Sequence, residues 1–191
     1  MSDPIDPDKL LAQARELAGF TAGPGHPRTI DHRRAVSAAY YTLFHELIAR
    51  SAAKIFPDAS ADDCLKIRRW YDHGEVKKVC ERLSLCAAAT VPRASPPGGV
   101  PEGFWQLFSR PSGTGRKSAV PANLVTVADA FVRLIEARHR ADYDHEASFP
   151  RATTKSYVLE AEDAIRKVRQ LVKSSYGRKF LALLLVTQRN R

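Results

Sequence analysis

Apolar residues recur every three or four positions along almost every long segment of this chain, which is the spacing of α-helices that bury one face. The alternating pattern of a half-buried strand is missing from these segments. With 191 residues, the chain is long enough to bury the core of one domain. We therefore predict a single all-α domain over residues 1–191.

Helices are predicted over about 7–18, 30–56, 60–71, 75–88, 121–143 and 153–174. Residues 87–121 hold six of the 12 prolines and five of the 10 glycines, so we predict a long loop there, either functional or disordered. A short aromatic anchor is expected to dock this loop onto the body: Phe104, Trp105, Leu107 and Phe108. The densely apolar segment after Gly177, RKFLALLLVTQRNR, either closes the core or forms a dimer contact.

The positive charge is concentrated toward the C-terminus. The whole chain has a net charge of +9, and residues 132–191 carry 13 basic and 7 acidic residues, a net charge of +6. A basic segment of this kind indicates an anionic partner, nucleic acid before membrane. The alternative is that the surplus charge only keeps the protein soluble.

Three cysteines without a CxxC spacing argue against a disulfide framework or a zinc site, and they favour a reducing compartment. The N-terminus lacks the basic start and apolar run of a signal peptide. The longest apolar stretch, Phe180 to Val186, is far shorter than the ~20 residues of a membrane helix. We expect a cytoplasmic protein without a membrane partner. Because no metal-ligand cluster or phosphate loop occurs in the sequence, no metal and no cofactor are predicted.

Two stretches carry most of the functional information. The first, RRAVSAAYYTLFH over residues 33–45, begins with Arg33 and Arg34 and places Tyr41 and His45 four residues apart on one helix face. The second, EARHRADYDH over residues 136–145, ends the helix predicted over 121–143.

In these two stretches the chain resembles the HEPN superfamily (higher eukaryote and prokaryote nucleotide-binding), from about residue 9 to the terminal FLALLL. The resemblance implies an up-down bundle of four or five main helices, commonly a homodimer. In many members, an Arg followed after four to six residues by a His cleaves RNA without a metal, often in a toxin–antitoxin or defence setting. Other members are inactive and bind a nucleotidyltransferase-like protein, an antitoxin or another partner. The resemblance supports the fold more directly than it supports catalysis.

Spacing alone does not select the catalytic pair, because three histidines follow an arginine at an allowed distance: His73, His139 and His145. The apolar stripe of the 121–143 helix continues through Arg138, Asp142 and His145, whereas Arg140 turns away from that stripe. We therefore predict Arg138 and His145 as the catalytic pair. Arg140 is the reserve for Arg138, and Asp142 orients the pair or forms a salt bridge at the helix end.

The remaining candidates are RNA-binding or cleft-lining residues. Arg33, Arg34, His139 and Arg140 are predicted to contact RNA, with a solvated surface as the alternative for the two arginines of the first stretch. Tyr41 and His45 either line the same cleft as Arg138 or belong to the core. We assign His73 to a turn. Two functions remain open from the sequence: a metal-independent endoribonuclease, and a non-catalytic module that binds a protein or nucleic acid.

Overall fold

The computed structural model describes residues 5–21, 27–89, 95–113 and 115–187. The fold is all-α with one short hairpin, in the order α1 (Pro7–Leu17), α2 (Thr29–Ile55), α3 (Ala61–Arg68), α4 (His73–Ala88), α5 (Glu102–Phe108), β1 (Ser109–Ser112), β2 (Gly115–Ser118), α6 (Ala122–Tyr143), α7 (Arg151–Leu171) and α8 (Ser175–Val186). The all-α prediction is confirmed. The predicted helix bounds lie within three residues of those observed, because the helical period and the helix-ending residues are local signals.

α2 is the central helix, and its neighbours alternate in direction. α6 runs antiparallel to it, since Arg33 near the start of α2 contacts the end of α6, while Tyr40 packs on Phe131 further back. α7 runs parallel to α2, because the residues just before α7 pack on the start of α2 and Arg169 near its end contacts Glu46. α1 is antiparallel to α7 and pairs with it through two ion pairs.

α4 lies along α6 in the opposite direction. Lys77 pairs with Glu136, and Ser84 donates a hydrogen bond to Asp129. This arrangement brings the first residue of α4, His73, to the side of α2 that carries Tyr40 and Phe44.

The loop predicted over residues 87–121 is wrong for residues 102–118, which form α5 and the antiparallel hairpin of β1 and β2. Two of the prolines stand at element boundaries, since Pro101 and Pro121 are the residues directly before α5 and α6. A proline in such a position removes no intrahelical hydrogen bond. The aromatic anchor is confirmed for Phe104, Trp105 and Phe108, all buried, but Leu107 is exposed.

α8 closes the core of the single chain. Phe180, Leu181 and Leu184 are buried, and Ser51 of α2 donates a hydrogen bond to the carbonyl of Leu181 at 2.6 Å. Of the two roles left open for this segment, the structure therefore supports core closure. Within the ranges that the structure describes, no helix has both the length and the apolar character of a membrane span.

Candidate functional site

Arg138 lies on the last turns of α6 and is held by two side chains. Its Nη2 donates a hydrogen bond to the Tyr41 hydroxyl of α2 at 2.9 Å. Its Nε stands 2.6 Å from Asp142 Oδ2, as an ion pair without the alignment of a hydrogen bond. Ser37 donates to the other oxygen of Asp142 at 2.5 Å. The Arg138 side chain keeps 23% of its surface exposed, so it is positioned yet accessible to an anion.

Tyr41 connects Arg138 to two imidazole rings. The Arg138 guanidinium carbon lies 5.4 Å from the centre of the Tyr41 ring. The centre of the Tyr41 ring also lies 6.2 Å from the centre of the His45 ring and 6.1 Å from the centre of the His73 ring. Tyr41 and His45 share a face of α2 because they are four residues apart. His73 comes from the start of α4.

His73 is fixed by aromatic neighbours. Its Nδ1 is hydrogen-bonded to the hydroxyl of Tyr40, and its ring stacks on Phe44 with 4.0 Å between ring centres. Burial lowers the pKa of His73, and the positive charge of Arg138 lowers it further. Burial, followed by the charges of His73 and Arg68, lowers the pKa of His45 to about 4. His45 is therefore neutral near pH 7.

We define the Arg138 site as Arg138, Tyr41, Asp142, His45 and His73. It contains a positioned cation and neutral imidazoles that can accept a proton. Such groups can bind a phosphate and assist proton transfer. Among the described residues, no group of three or more His, Cys, Asp or Glu could hold a metal ion.

His145 is not brought to Arg138. α6 ends at Tyr143, so the helical face that linked the two positions in sequence does not continue to residue 145. The His145 side chain is exposed, and within the described part of the chain it makes no hydrogen bond, ion pair or ring contact. Its catalytic role stays a prediction that the geometry does not support directly.

Arg33 is used by the backbone of the chain itself. Its guanidinium donates to the carbonyls of Ala141 at 2.8 Å, Ala147 at 3.0 Å and Asp144 at 2.6 Å, with a longer contact of 3.4 Å to that of Arg140. These carbonyls lie at the end of α6 and in the turn after it, where carbonyl groups have no N–H partner within the helix. The contacts favour a structural role for Arg33 over the predicted contact with RNA.

The other predicted contacts remain on the surface. Arg34, His139 and Arg140 are exposed. The His139 ring packs against Tyr143 with 4.9 Å between ring centres, and the Arg140 guanidinium lies 5.9 Å from the centre of the Phe149 ring. All three side chains are therefore accessible to a ligand.

His73 is the residue that sequence reasoning placed wrongly. It is the first residue of α4, and the carboxylate of Asp72 accepts hydrogen bonds from Gly74 and Glu75 N–H as a helix N-cap. The signal was in the sequence, because an Asp followed three residues later by Glu is typical of a helix start. No local sequence pattern indicates that His73 lies near Tyr41 and Arg138, because these residues belong to other helices.

Two open clefts, of about 560 and 590 Å³, lie away from this site along α1 and α7. The first is lined by Glu46, which is 3% exposed and paired with Arg50 and Arg169. This network satisfies a buried carboxylate, and neither cleft includes Arg138.

Comparison with family models, with curated proteins and with solved structures finds no match to this chain.

Proposed function

We propose that this chain acts on RNA at the surface around Arg138, as a metal-independent endoribonuclease of the HEPN type. The observation that carries the proposal is the position of Arg138: a partly exposed guanidinium, held by Tyr41 and Asp142 and close to neutral imidazoles. The resemblance of residues 33–45 and 136–145 to HEPN proteins supports it independently. A toxin or defence setting, and an antitoxin or nucleotidyltransferase-like partner, rest on that resemblance alone.

The reaction would be transesterification within the RNA strand. The ribose 2′-oxygen attacks the adjacent phosphorus, the bond to the 5′-oxygen breaks, and a cyclic phosphate and a free 5′-hydroxyl result. A base removes the 2′ proton and an acid returns one to the leaving oxygen, help that is worth roughly 10²–10⁴-fold. In this proposal His145 transfers the proton, and Arg138 binds the phosphate and stabilises its developing charge.

A second candidate is a non-catalytic RNA-binding module. It is favoured by the exposed, uncontacted position of His145 and by the engagement of Arg138 with Tyr41 and Asp142. In this reading Arg138 joins α6 to α2, and the basic residues bind the phosphate backbone. Affinity would then fall steeply with added salt, because bound phosphates release their counterions.

The test is cleavage of bulk tRNA in EDTA by the purified chain. We expect fragments from the parent, and losses of about 10²-fold or more from Arg138→Ala and His145→Ala. Arg140→Ala is the matched control and should cost less than tenfold, since this exposed arginine lies off the face of Arg138. Circular dichroism should show the same helicity in all variants.

The outcomes separate the two candidates. A parent that binds RNA in a salt-dependent way but never cleaves it supports the binding module. Cleavage by His145→Ala at the parental rate contradicts the assigned base and leaves His73 and His45, the imidazoles that contact Tyr41, as the remaining candidates. Should Arg138→Ala unfold, Arg138→Lys keeps the charge and tests the phosphate contact without emptying the position.

A further inference from the structure

Tyr143 is an unusually exposed aromatic residue for its position. It is the last residue of α6, and 60% of its surface is exposed although the helix around it packs on α2 and α7. An isolated exposed side chain needs no explanation. Tyr143 is not isolated, because planar groups flank it along the surface.

The planar groups form a connected row at the end of α6. The exposed His139 ring lies 4.9 Å from the Tyr143 ring, one helical turn back. The Arg138 guanidinium carbon lies 5.4 Å from the Tyr143 ring and 5.4 Å from the Tyr41 ring. An imidazole, a phenol and a guanidinium therefore stand next to one another, and the first two face solvent. These are the groups on which unpaired nucleobases stack.

The charge at this end of the molecule suits a phosphate backbone. The start of α2, the end of α6 and the start of α7 meet here, since Arg33 contacts the end of α6 and Phe149 packs on Val36. Three local carboxylates are already engaged: Asp31 by Arg28, Asp142 by Arg138 and Ser37, and Asp144 by backbone N–H groups, while the fourth, Glu146, is exposed. Arg34 and Arg140 are exposed and face no carboxylate within salt-bridge distance among the described residues.

We propose that Tyr143 and His139 are a base-stacking platform for an unpaired base of the RNA that binds at the Arg138 site. The inference rests on the proposed function, because the platform serves the same site. A paired base offers only its edges to a protein, whereas an unpaired base offers the face that a tyrosine ring covers. A stacked base would place its own phosphate near Arg138, the next planar group in the row.

The test measures binding by fluorescence anisotropy in EDTA, using a labelled unpaired RNA of about 12 nucleotides and the same sequence as a duplex. A 2′-O-methyl group at each position blocks the attacking 2′-oxygen and keeps the probe an intact RNA analogue. We expect the parent to bind the single strand more tightly than the duplex. Tyr143→Ala should weaken single-strand binding by about 5- to 150-fold, as expected for the loss of one stacked base.

Two controls separate stacking from other causes. Tyr143→Phe keeps the ring and should bind within about twofold of the parent, since the ring face that covers a base is retained. Leu159→Ala removes another exposed apolar side chain, 49% exposed on α7, and should change nothing. A 2-aminopurine in the RNA should lose fluorescence on binding the parent and regain it with Tyr143→Ala.

The outcomes also distinguish this inference from the proposed function. If the parent binds neither RNA, both fail. If the parent binds RNA but Tyr143→Ala binds the single strand equally well, the platform is wrong and the proposed function stands. An equal loss for duplex and single strand, or a loss with Tyr143→Phe as large as with Tyr143→Ala, also overturns the platform.

Discussion

Two neighbouring arginines on α2 have different surroundings. Arg33 donates to backbone carbonyls at the end of α6, whereas Arg34 points to solvent. The 100° turn between successive helical residues separates them. Of the two adjacent arginines that the sequence predicted to contact RNA, Arg33 therefore has a structural position and Arg34 a surface position.

We expect Arg33→Ala to lower the free energy of unfolding by about 2–4 kcal/mol, because it leaves several partly buried carbonyls without their donor. Arg34→Ala, the matched control, should change it by less than about 0.5 kcal/mol. Urea denaturation followed by circular dichroism measures both. Equal stability of the two variants would show that the α6 carbonyls find other donors.

His45 makes stability depend on pH. Its pKa is about 4 in the folded chain, against an ordinary value of 6.5. The unfolded state therefore takes up a proton between pH 6.5 and pH 4 that the folded state does not. Stability should be fully present above pH 6.5 and fall as the pH drops through this window, by about 1–2 kcal/mol because water still screens the partly exposed ring.

Urea denaturation at pH 7 and pH 4.5 checks this pH dependence. In His45→Asn the free energy of unfolding should fall less between the two pH values than it does in the parent. The part of this fall that His73 causes should remain, because its pKa is also lowered. A parental curve and a variant curve that run parallel would show that the pKa of His45 is the same in the folded and the unfolded state.

At the scale of elements, the ends of helices decide the geometry of the site. The carbonyls that accept hydrogen bonds from Arg33 lie at and just after the end of α6. The chain then turns at Asp144, whose carboxylate accepts hydrogen bonds from the N–H groups of Glu146 and Ala147. His145 therefore follows the end of α6 and is not part of the helical face that carries Arg138. The start of α4, capped by Asp72, supplies His73 instead.

Gly177, near the start of α8, lies very close to the backbone at the end of α7. A Cβ added at Gly177 would lie 2.0 Å from the carbonyl oxygen of Leu171. We expect Gly177→Ala to cost at least about 2 kcal/mol, because backbone must move to admit it. Gly103→Ala in α5 meets no atom within 4 Å and should be neutral or stabilise by up to about 1 kcal/mol.

Thermal denaturation of the two glycine variants separates them. A Gly177→Ala variant as stable as the parent would mean that α8 can shift away from α7. That result would show that the close packing of α8 on α7 contributes little to the stability of the core.

At the scale of the whole molecule, the open question is assembly. Phe180, Leu181 and Leu184 of the terminal apolar segment are buried within one chain, so they no longer argue for a dimer contact. The resemblance to HEPN proteins still implies a homodimer, and the face around Arg138 is its remaining candidate surface.

We expect light scattering at micromolar concentration to give about twice the chain mass of 21.2 kDa. Val186→Glu, at a residue 77% exposed on α8, should leave this mass unchanged if α8 is not the contact. A parental mass near 21.2 kDa would contradict the dimer.

The sequence by itself determined the helical class, most helix bounds and the direction in which Arg138 faces. These properties depend on residues within a few turns of one another, so the spacing of apolar and capping residues is enough to predict them. The same local signals misjudged residues 102–118, because Gly103 within α5, Pro111 within β1 and the boundary prolines give the composition of a loop.

Only the tertiary structure decided which side chains share the Arg138 site. Tyr41 and Arg138 are 97 residues apart, and Arg33 and Ala141 are 108 apart. Such contacts depend on the register in which α2, α4 and α6 pack, which is set by many buried side chains at once rather than by any local pattern. For the same reason the sequence predicted His145 as the partner of Arg138, while the packing places His73 against Tyr41, which contacts Arg138.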